Sequence, residues 1–532
     1  MPVLSCGAAG RHREILKCFR IQLPYMQITE KNMNEKPINN NTEIHTLQSG
    51  NGGAADSPNE MSCTAQVKAD DSLQPAADGT PQITADSSSQ IADGTLQTSQ
   101  PSRVAVVKCS TYDEQAVQNA VQRAIDLLGG IESILAGDGA LNHSSRIVLK
   151  PNLLARTGPD KACTTHPAVF KAAGAILQKA GYTNLRYGDS PGNPMYSVER
   201  VAQECGIKAA ADSLKIPLGE FESGTQVDFP QGRAAESFVL CNEIIKADAV
   251  INVCKMKTHQ LERITGAVKN TFGCVYGVNK AASHAKFATA ETFAKMIADL
   301  NNLVRPRLHI MDGIIAMEGN GPQSGTPAPM GVILASTDPV ALDAVFCHLV
   351  NLRPELVPTN VSGMEQGVGT WQNLEITDES GIITPEEALR RYGSRTFSVQ
   401  RGTEYRGMLK PIRFLAPLLE KRPIMKKERC VGCGICVNAC PVEGKAIHIM
   451  QSGTECAGAD WNSGSDSSQK IVHGSSRKTT PGGNTERTGR RVAVYDYSKC
   501  IKCYCCQEMC PQEAITVKKS LLARIADRKW RI

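Results

Sequence analysis

The sequence predicts an α/β protein with a smaller second unit behind it, on three observations. From about residue 103 to residue 400, short apolar runs alternate with runs of helical periodicity, which implies a mostly parallel sheet joined by helical crossovers. A stretch rich in Ser, Thr, Gln, Gly and Ala precedes that region. Near the C-terminus a four-cysteine phrase occurs twice. The 532 residues leave room for roughly three or four domains.

Residues 1–102 read as a disordered, low-complexity leader, because Pro37 to Pro101 holds too few large apolar side chains to offset the entropy of ordering. At Arg103 the texture changes. Val104 to Val107 is predicted as a strand, and Glu114 to Leu128 as a helix that stops at Gly129-Gly130. Strands are expected at Ile147 to Lys150, Leu185 to Gly188, Ala249 to Cys254, Leu308 to Met311 and Gly331 to Ala335. Helices are expected from Thr165-His-Pro167 to Gly181, from Ala290 to Val304 and from Pro339 to Val350. A basic linker follows at 401–423, then the cysteine-rich unit at 424–518 with a Gly, Ser and Thr-rich flexible insertion at 451–491, then a basic tail at 519–532.

Charge and composition exclude several function classes. The 59 basic and 53 acidic residues leave a net +6, too weak to argue for nucleic acid on its own, and the basic excess brackets the cysteine-rich region. No apolar run reaches the roughly 18 residues that a membrane span needs. The first twenty residues lack the apolar core of a secretory signal. Twenty cysteines without such a signal point to metal or redox use in a reducing compartment, so the expected location is cytoplasmic.

Cys430, Cys433, Cys436 and Cys440-Pro441 stand in the spacing C-x2-C-x2-C-x3-C-P, and Cys500, Cys503, Cys506 and Cys510-Pro511 repeat it. Three thiolates at intervals of three let one loop wrap one cube of iron and sulfide, while the fourth reaches across to the other cube. The phrase therefore predicts two [4Fe-4S] clusters, one on Cys430, Cys433, Cys436 and Cys510, the other on Cys500, Cys503, Cys506 and Cys440. Structural zinc takes paired hooks and has no use for the third cysteine or the Cys-Pro step. Disulfides are disfavoured by the reducing context. Cys505 is read as a packing residue, with substitute ligation as the minority alternative.

These residues make Ile424 to Lys518 resemble the bacterial-type two-cluster ferredoxins, which implies a small pseudo-symmetric α+β domain. Ala446-Ile447 and Ala514-Ile515 resemble the pair that begins the strand after each Cys-Pro. Two departures stand in the connections: two extra residues after Pro441, and the long insertion after Met450.

In the larger region, Lys150-Pro-Asn152, Gly188-Asp-Ser-Pro-Gly192, Lys255-Met-Lys-Thr-His259 and Asp312-Gly313 each follow an expected strand, where open parallel sheets gather their ligands. Lys257, His259, Lys269 and Asp312 are the catalytic candidates. With Lys255, Lys280 and His284 they would make a cationic cleft for a small anion, a carboxylate or a phosphate. Glu318-Gly-Asn-Gly-Pro-Gln-Ser-Gly325 lacks dinucleotide spacing, and no phosphate loop occurs. A lid or a tight turn is the expectation for those glycines. Cys163, Cys205, Cys241, Cys254, Cys274 and Cys347 lack ligand spacing and are read as buried thiols.

Lys150-Pro-Asn152, Thr165-His-Pro167, Gly188-Asp-Ser-Pro-Gly192, Lys257-Thr-His259, Thr265-Gly-Ala-Val-Lys-Asn270, Met317-Glu-Gly-Asn-Gly-Pro322 and the run Asp338-Pro to Asp343 resemble the domain of unknown function 362 family. That resemblance covers most of Cys109 to Val350 and implies no particular activity. The expectation is an iron-sulfur electron-transfer protein whose α/β domain takes an anionic ligand. The alternatives are an oxidoreductase acting on a small anion, and a docking module that delivers metal or clusters. A redox partner protein, an oxidoreductase or a flavoprotein, is expected, steered by the basic linker.

Overall fold

The main sheet takes its order from which strands are joined by helices and which by turns. In the computed structural model, described over residues 101–136, 141–193, 195–277, 279–402, 421–451 and 490–518, the strands of the first region are β1 (Ser102–Lys108), β2 (Ile147–Pro151), β3 (Leu185–Tyr187), β4 (Gly224–Asp228), β5 (Ser237–Cys241), β6 (Ala249–His259), β7 (Arg263–Thr265), β8 (Leu308–Glu318), β9 (Thr326–Ser336), β10 (Leu374–Asp378) and β11 (Gly381–Ile383). Nine of them form one sheet in the order β11-β10-β1-β9-β8-β6-β2-β3, with β7 paired to the end of β6. The run β8-β6-β2-β3 is parallel throughout. Helical crossovers set that block, as the alternation implies. The β8–β9 and β9–β1 pairs are antiparallel, because β8 and β9 are joined by a short turn.

Alternation along each strand sends side chains to two helical layers. Ala105 and Val107 of β1 pack with the helices Glu114–Leu127, Pro167–Lys179 and Ala290–Val304. Val104 and Val106 face Leu342, Val345 and Phe346 of the helix Pro339–Leu349. The helix ends are fixed by side chains: Asp113 accepts from the Ala116 amide at 2.9 Å, and Asp338 from Val340 and Ala341 at 2.8 and 2.9 Å. Such caps contribute about 1 kcal/mol each.

Two strands run further than the apolar pattern suggested. β6 continues to His259 and β8 to Glu318, so Lys255, Lys257, His259 and Asp312 lie within strands rather than after them. The chain carries these buried charges in strand form because each acquires a partner, described below. The glycine-rich stretch is the tight turn between β8 and β9. Gly321 is needed there, since a Cβ would stand 2.2 Å from the Thr258 carbonyl oxygen.

The C-terminal unit pairs β12 (Arg422–Met425) with β15 (Ile515–Lys518), and β13 (Ile447–Gln451) with β14 (Arg491–Tyr495), both antiparallel. Short helices Ile435–Asn438 and Cys505–Glu508 complete two similar halves. Ala446, Ile447, Val492, Ala493, Ala514 and Ile515 pack among the cysteines. The described ends of the insertion, Gln451 and Arg491, belong to β13 and β14. Residues 452–489 of the insertion, the tail, most of the linker and the leader up to residue 100 lie outside the described residues.

This unit is joined to the α/β region by more than the linker. Tyr504 is part of the α/β core, and its hydroxyl donates to the Lys421 carbonyl oxygen at 3.2 Å. Asn320, at the tip of the β8–β9 turn, donates to the Ile515 carbonyl at 3.2 Å and accepts from the Val517 amide at 3.4 Å. Gln507 donates back to the Asn320 carbonyl at 2.9 Å.

Candidate functional site

The cysteine loops need left-handed backbone at matching points. Gly432 and Gly434 hold φ of 66° and 79° in the first half, and Lys502 and Tyr504 hold 60° and 63° in the second. Glycine takes such angles without strain. The loops bring Cys430, Cys433, Cys436 and Cys510 to the wall of a single cavity, with Met425, Ile449 and Ala514 beside them. Of the four only Cys433 is exposed. Cys500 feels the charge of Cys503 and Cys440, and Cys506 that of Cys503 and Cys500 and, from the first set, of Cys436.

The donor set fits an iron-sulfur cube. Backbone amides donate to three of the sulfurs: Ala493 to Cys430 at 3.4 Å, Ala446 to Cys440 at 3.3 Å and Ala514 to Cys510 at 3.3 Å. The Tyr495 hydroxyl lies 3.2 Å from Cys506 Sγ. Such donors stabilise sulfur that carries negative charge and tune a cluster's potential. The two extra residues after Pro441 leave this arrangement intact, because left-handed Lys445 and Glu513 each precede the alanine that donates to its Cys-Pro sulfur. Burial, with the neighbouring thiols Cys510, Cys433 and Cys430, pushes the Cys436 thiol up to about 12. A bound cluster supplies the cationic iron that makes these thiolates stable. Among the described residues, no group of three or more Cys, His, Asp or Glu is drawn together for a single metal ion.

In the α/β region the candidate residues divide into two groups. Asp312, level with Lys255 across the β6–β8 ladder, accepts from Lys255 Nζ at 2.7 Å, from the Tyr112 hydroxyl at 2.9 Å and from the His166 amide at 3.0 Å. Burial lowers Lys255, with Asp312 opposing that effect. The His166 ring stacks on Tyr112 at 3.4 Å, and burial brings His166 down to about 4.

Lys257 stands between the groups and donates to Asn152 Oδ1 and the Cys163 carbonyl, both at 2.7 Å. Burial lowers it to about 8. Asn152 continues the network to Asn270 at 2.8 Å, and Asn270 to Asn252 at 2.7 Å. Further family-like residues hold the scaffold. Lys150 pairs with Asp189 at 2.8 Å, both buried, and Asp343 accepts from the Ala267 and Val268 amides at 2.6 and 3.1 Å. Gly273 and Gly266 let these carboxylates approach: a Cβ on either would lie 1.7 Å from Asp189 Oδ1 or 2.0 Å from Asp343 Oδ1.

The second group crosses between the two parts of the chain. His259 Nδ1 accepts from the Leu261 and Glu262 amides at 3.1 Å, which assigns the ring proton to Nε2. Nε2 lies 2.9 Å from Glu508 Oε1, a close approach whose angle falls short of an aligned hydrogen bond. Burial works to raise the Glu508 carboxyl, but His259, Lys269 and His284 outweigh it and hold it below the usual range. Burial brings His259 down to about 4 and His284 to about 3. The structure thus gathers Lys257, His259 and Lys269 near His284, whereas Asp312 serves the Lys255 group. Lys280 turns to the Ser190 and Pro191 carbonyls.

Sequence reasoning passed over Tyr112, His166, Gln507 and Glu508. For the last two a signal exists: Gln507-Glu508 occupies the interval where the first half has Val437-Asn438. Two like halves with unlike inserts mark the half that meets something polar.

Comparison with known proteins agrees with this division. Residues 147–348 match the family described as a domain of unknown function (DUF362), and residues 422–511 match a 4Fe-4S dicluster domain. The thylakoid-associated protein sll1697 of Synechocystis sp. is 34% identical over 257 residues, 48% of this chain and 77% of that protein. Among solved structures, the lactate racemase apoprotein from Thermoanaerobacterium thermosaccharolyticum aligns with a TM-score of 0.31 at 10% identity, over 49% of this chain and 58% of that one. A Thermotoga maritima protein aligns with a TM-score of 0.30 at 10% identity, over 51% of this chain and 61% of that one. No helix among the described residues is long and apolar enough to cross a membrane. By its relative and its two matched regions, the chain belongs to the domain of unknown function 362 family, and it joins that domain to a 4Fe-4S dicluster domain.

Proposed function

We propose that the chain is an electron-transfer protein holding two [4Fe-4S] clusters, with the α/β domain as the fixed neighbour of the cluster on Cys440, Cys500, Cys503 and Cys506. The observation that carries this reading is the convergence of Cys430, Cys433, Cys436 and Cys510, drawn from both halves, on one cavity. The exposure of Cys433 and of the Val431 side chain supports a first cluster close to the surface and open to a redox partner protein. Lys427, exposed nearby, favours an acidic partner. The loop of the second cluster carries Tyr504, Gln507 and Glu508 into the α/β domain. Electrons then have an outer port and an inner one.

A second reading makes the chain an oxidoreductase that reduces a small anion held by His259, Lys269 and Lys257. The grouping of those three residues beside the second cluster loop favours it. The test of the first reading is anaerobic reconstitution, reduction with dithionite and mixing with an oxidised flavoprotein. The expected result is uptake of about one electron per cluster and prompt reoxidation that slows as salt screens the encounter. Clusters that resist dithionite, or that once reduced pass no electron to flavoprotein or viologen, would contradict it. Reoxidation that depends on an added small anion and is lost in His259→Ala favours the second reading.

A further inference from the structure

We infer that Glu508 is an internal stand-in for a small monocarboxylate: its carboxylate occupies the His259, Lys269 and His284 site of the α/β domain, and the ligand enters by displacing it. The inference rests on the proposed reading of that group as an anion site and adds its ligand class and its gate. Three observations carry it. A carboxylate already lies there, buried, 2.9 Å from His259 Nε2, yet without an aligned hydrogen bond on Oε1. His284 is buried with Nδ1 unpartnered. The Lys269 ammonium has no hydrogen bond among the described residues and stands over the Phe272 and Phe293 rings at 5.6 and 5.5 Å. A site built only to fasten Glu508 would spend these donors on it, since leaving a buried polar group unpaired is costly.

The charge balance selects the ligand. Lys257 spends its ammonium on Asn152 Oδ1 and the Cys163 carbonyl, so one carboxylate faces one ammonium, that of Lys269, and the imidazoles, lowered by burial, add hydrogen bonds without added charge. A phosphate dianion would bring a second, uncompensated charge into a buried site, which burial disfavours. The Phe272 and Phe293 rings, which lie edge-on at 5.1 Å, suit a short apolar substituent on the carboxylate. Glu508 ends the short helix Cys505–Glu508, which carries Cys506 and leads to Cys510, so its departure moves the segment that links the two ligand sets. Ligand binding and cluster environment are therefore coupled, and the coupling is reciprocal.

The experiment compares acetate and inorganic phosphate binding, by saturation-transfer NMR, to reconstituted full-length protein with its native Glu508 and with Glu508→Ala. Removing the internal competitor raises the fraction of open sites, so Glu508→Ala is expected to bind acetate at least about tenfold more tightly, with phosphate far behind. Adding His284→Ala to that variant is expected to abolish the gain. Iron content and the reduced-state spectrum of the same samples report the clusters. Intact clusters with no gain in acetate affinity overturn the inference and leave the electron-transfer reading standing. A gain for phosphate equal to that for acetate overturns the ligand class. If Glu508→Ala does not load its clusters, Glu508→Gln, which keeps the shape and drops the charge, carries the same comparison. Failure of both variants to load clusters also overturns the inference, because a displaceable carboxylate is dispensable for assembly.

Discussion

Asp189→Ala is expected to lower the stability of the α/β domain by about 3–5 kcal/mol, the cost of leaving a buried charge without its partner. Lys150 is fully buried on β2, its ammonium 2.8 Å from Asp189 Oδ1, while Asp189 Oδ2 accepts the Leu153 amide at 2.7 Å. The alanine therefore strands a lysine and an amide together. Gly273, packed against the same carboxylate, leaves no room for a larger replacement. Adding Lys150→Met to Asp189→Ala is expected to recover more than half of the loss, because the ammonium stranded by the missing carboxylate is then gone. Urea unfolding of the three full-length proteins measures both effects. A loss under about 1 kcal/mol for Asp189→Ala would show that the pair is not what holds β2 to the segment after β3.

The second large effect lies in the cysteine module and crosses the halves. Cys510→Ala, in the second phrase, is expected to disrupt the cluster held by the first phrase, giving the same lesion as Cys436→Ala. Cys440→Ala is expected to match Cys506→Ala instead. The grounds are the shared cavity of Cys510 with Cys430, Cys433 and Cys436, and the grouping of Cys440 with Cys500. Each lesion removes or degrades one cluster of the two, so iron falls from about eight to about four or a little more per chain. Spectra of the reduced variants sort the lesions into two pairs. If Cys510→Ala instead resembles Cys506→Ala, the crossed ligation is wrong.

Much of this was legible in the sequence, for identifiable reasons. Helices such as Ala290–Val304 carry their own periodicity and caps, so local signals suffice. The cysteine phrase encodes its loop because three ligands of one cluster are close in the chain. The ends of β6 and β8 were not legible, since Lys255, Lys257 and Asp312 look like loop residues until their partners appear. Those partners, Tyr112, Asn152 and the Cys163 carbonyl, come from distant segments. The β8–β9 hairpin was hidden because its glycine-rich turn reads equally well as a lid. The cleft was anticipated as an open cationic site, and the residue that fills it, Glu508, lies in the other unit, where no periodicity or motif points back to His259.

The same facts describe how the chain is assembled. Tyr504, Asn320 and Gln507 fasten the cluster module to the α/β domain through core packing and hydrogen bonds. Loss of the clusters is therefore felt in both parts.

The measurement that bears most directly on the account is the iron and sulfide content of the anaerobically reconstituted full-length protein, read together with its spectrum after dithionite. Two clusters predict about eight irons and eight sulfides per chain and two interacting reduced centres. Fewer than about four irons, or iron without matching sulfide, would contradict the two-cluster assignment and the electron-transfer function built on it.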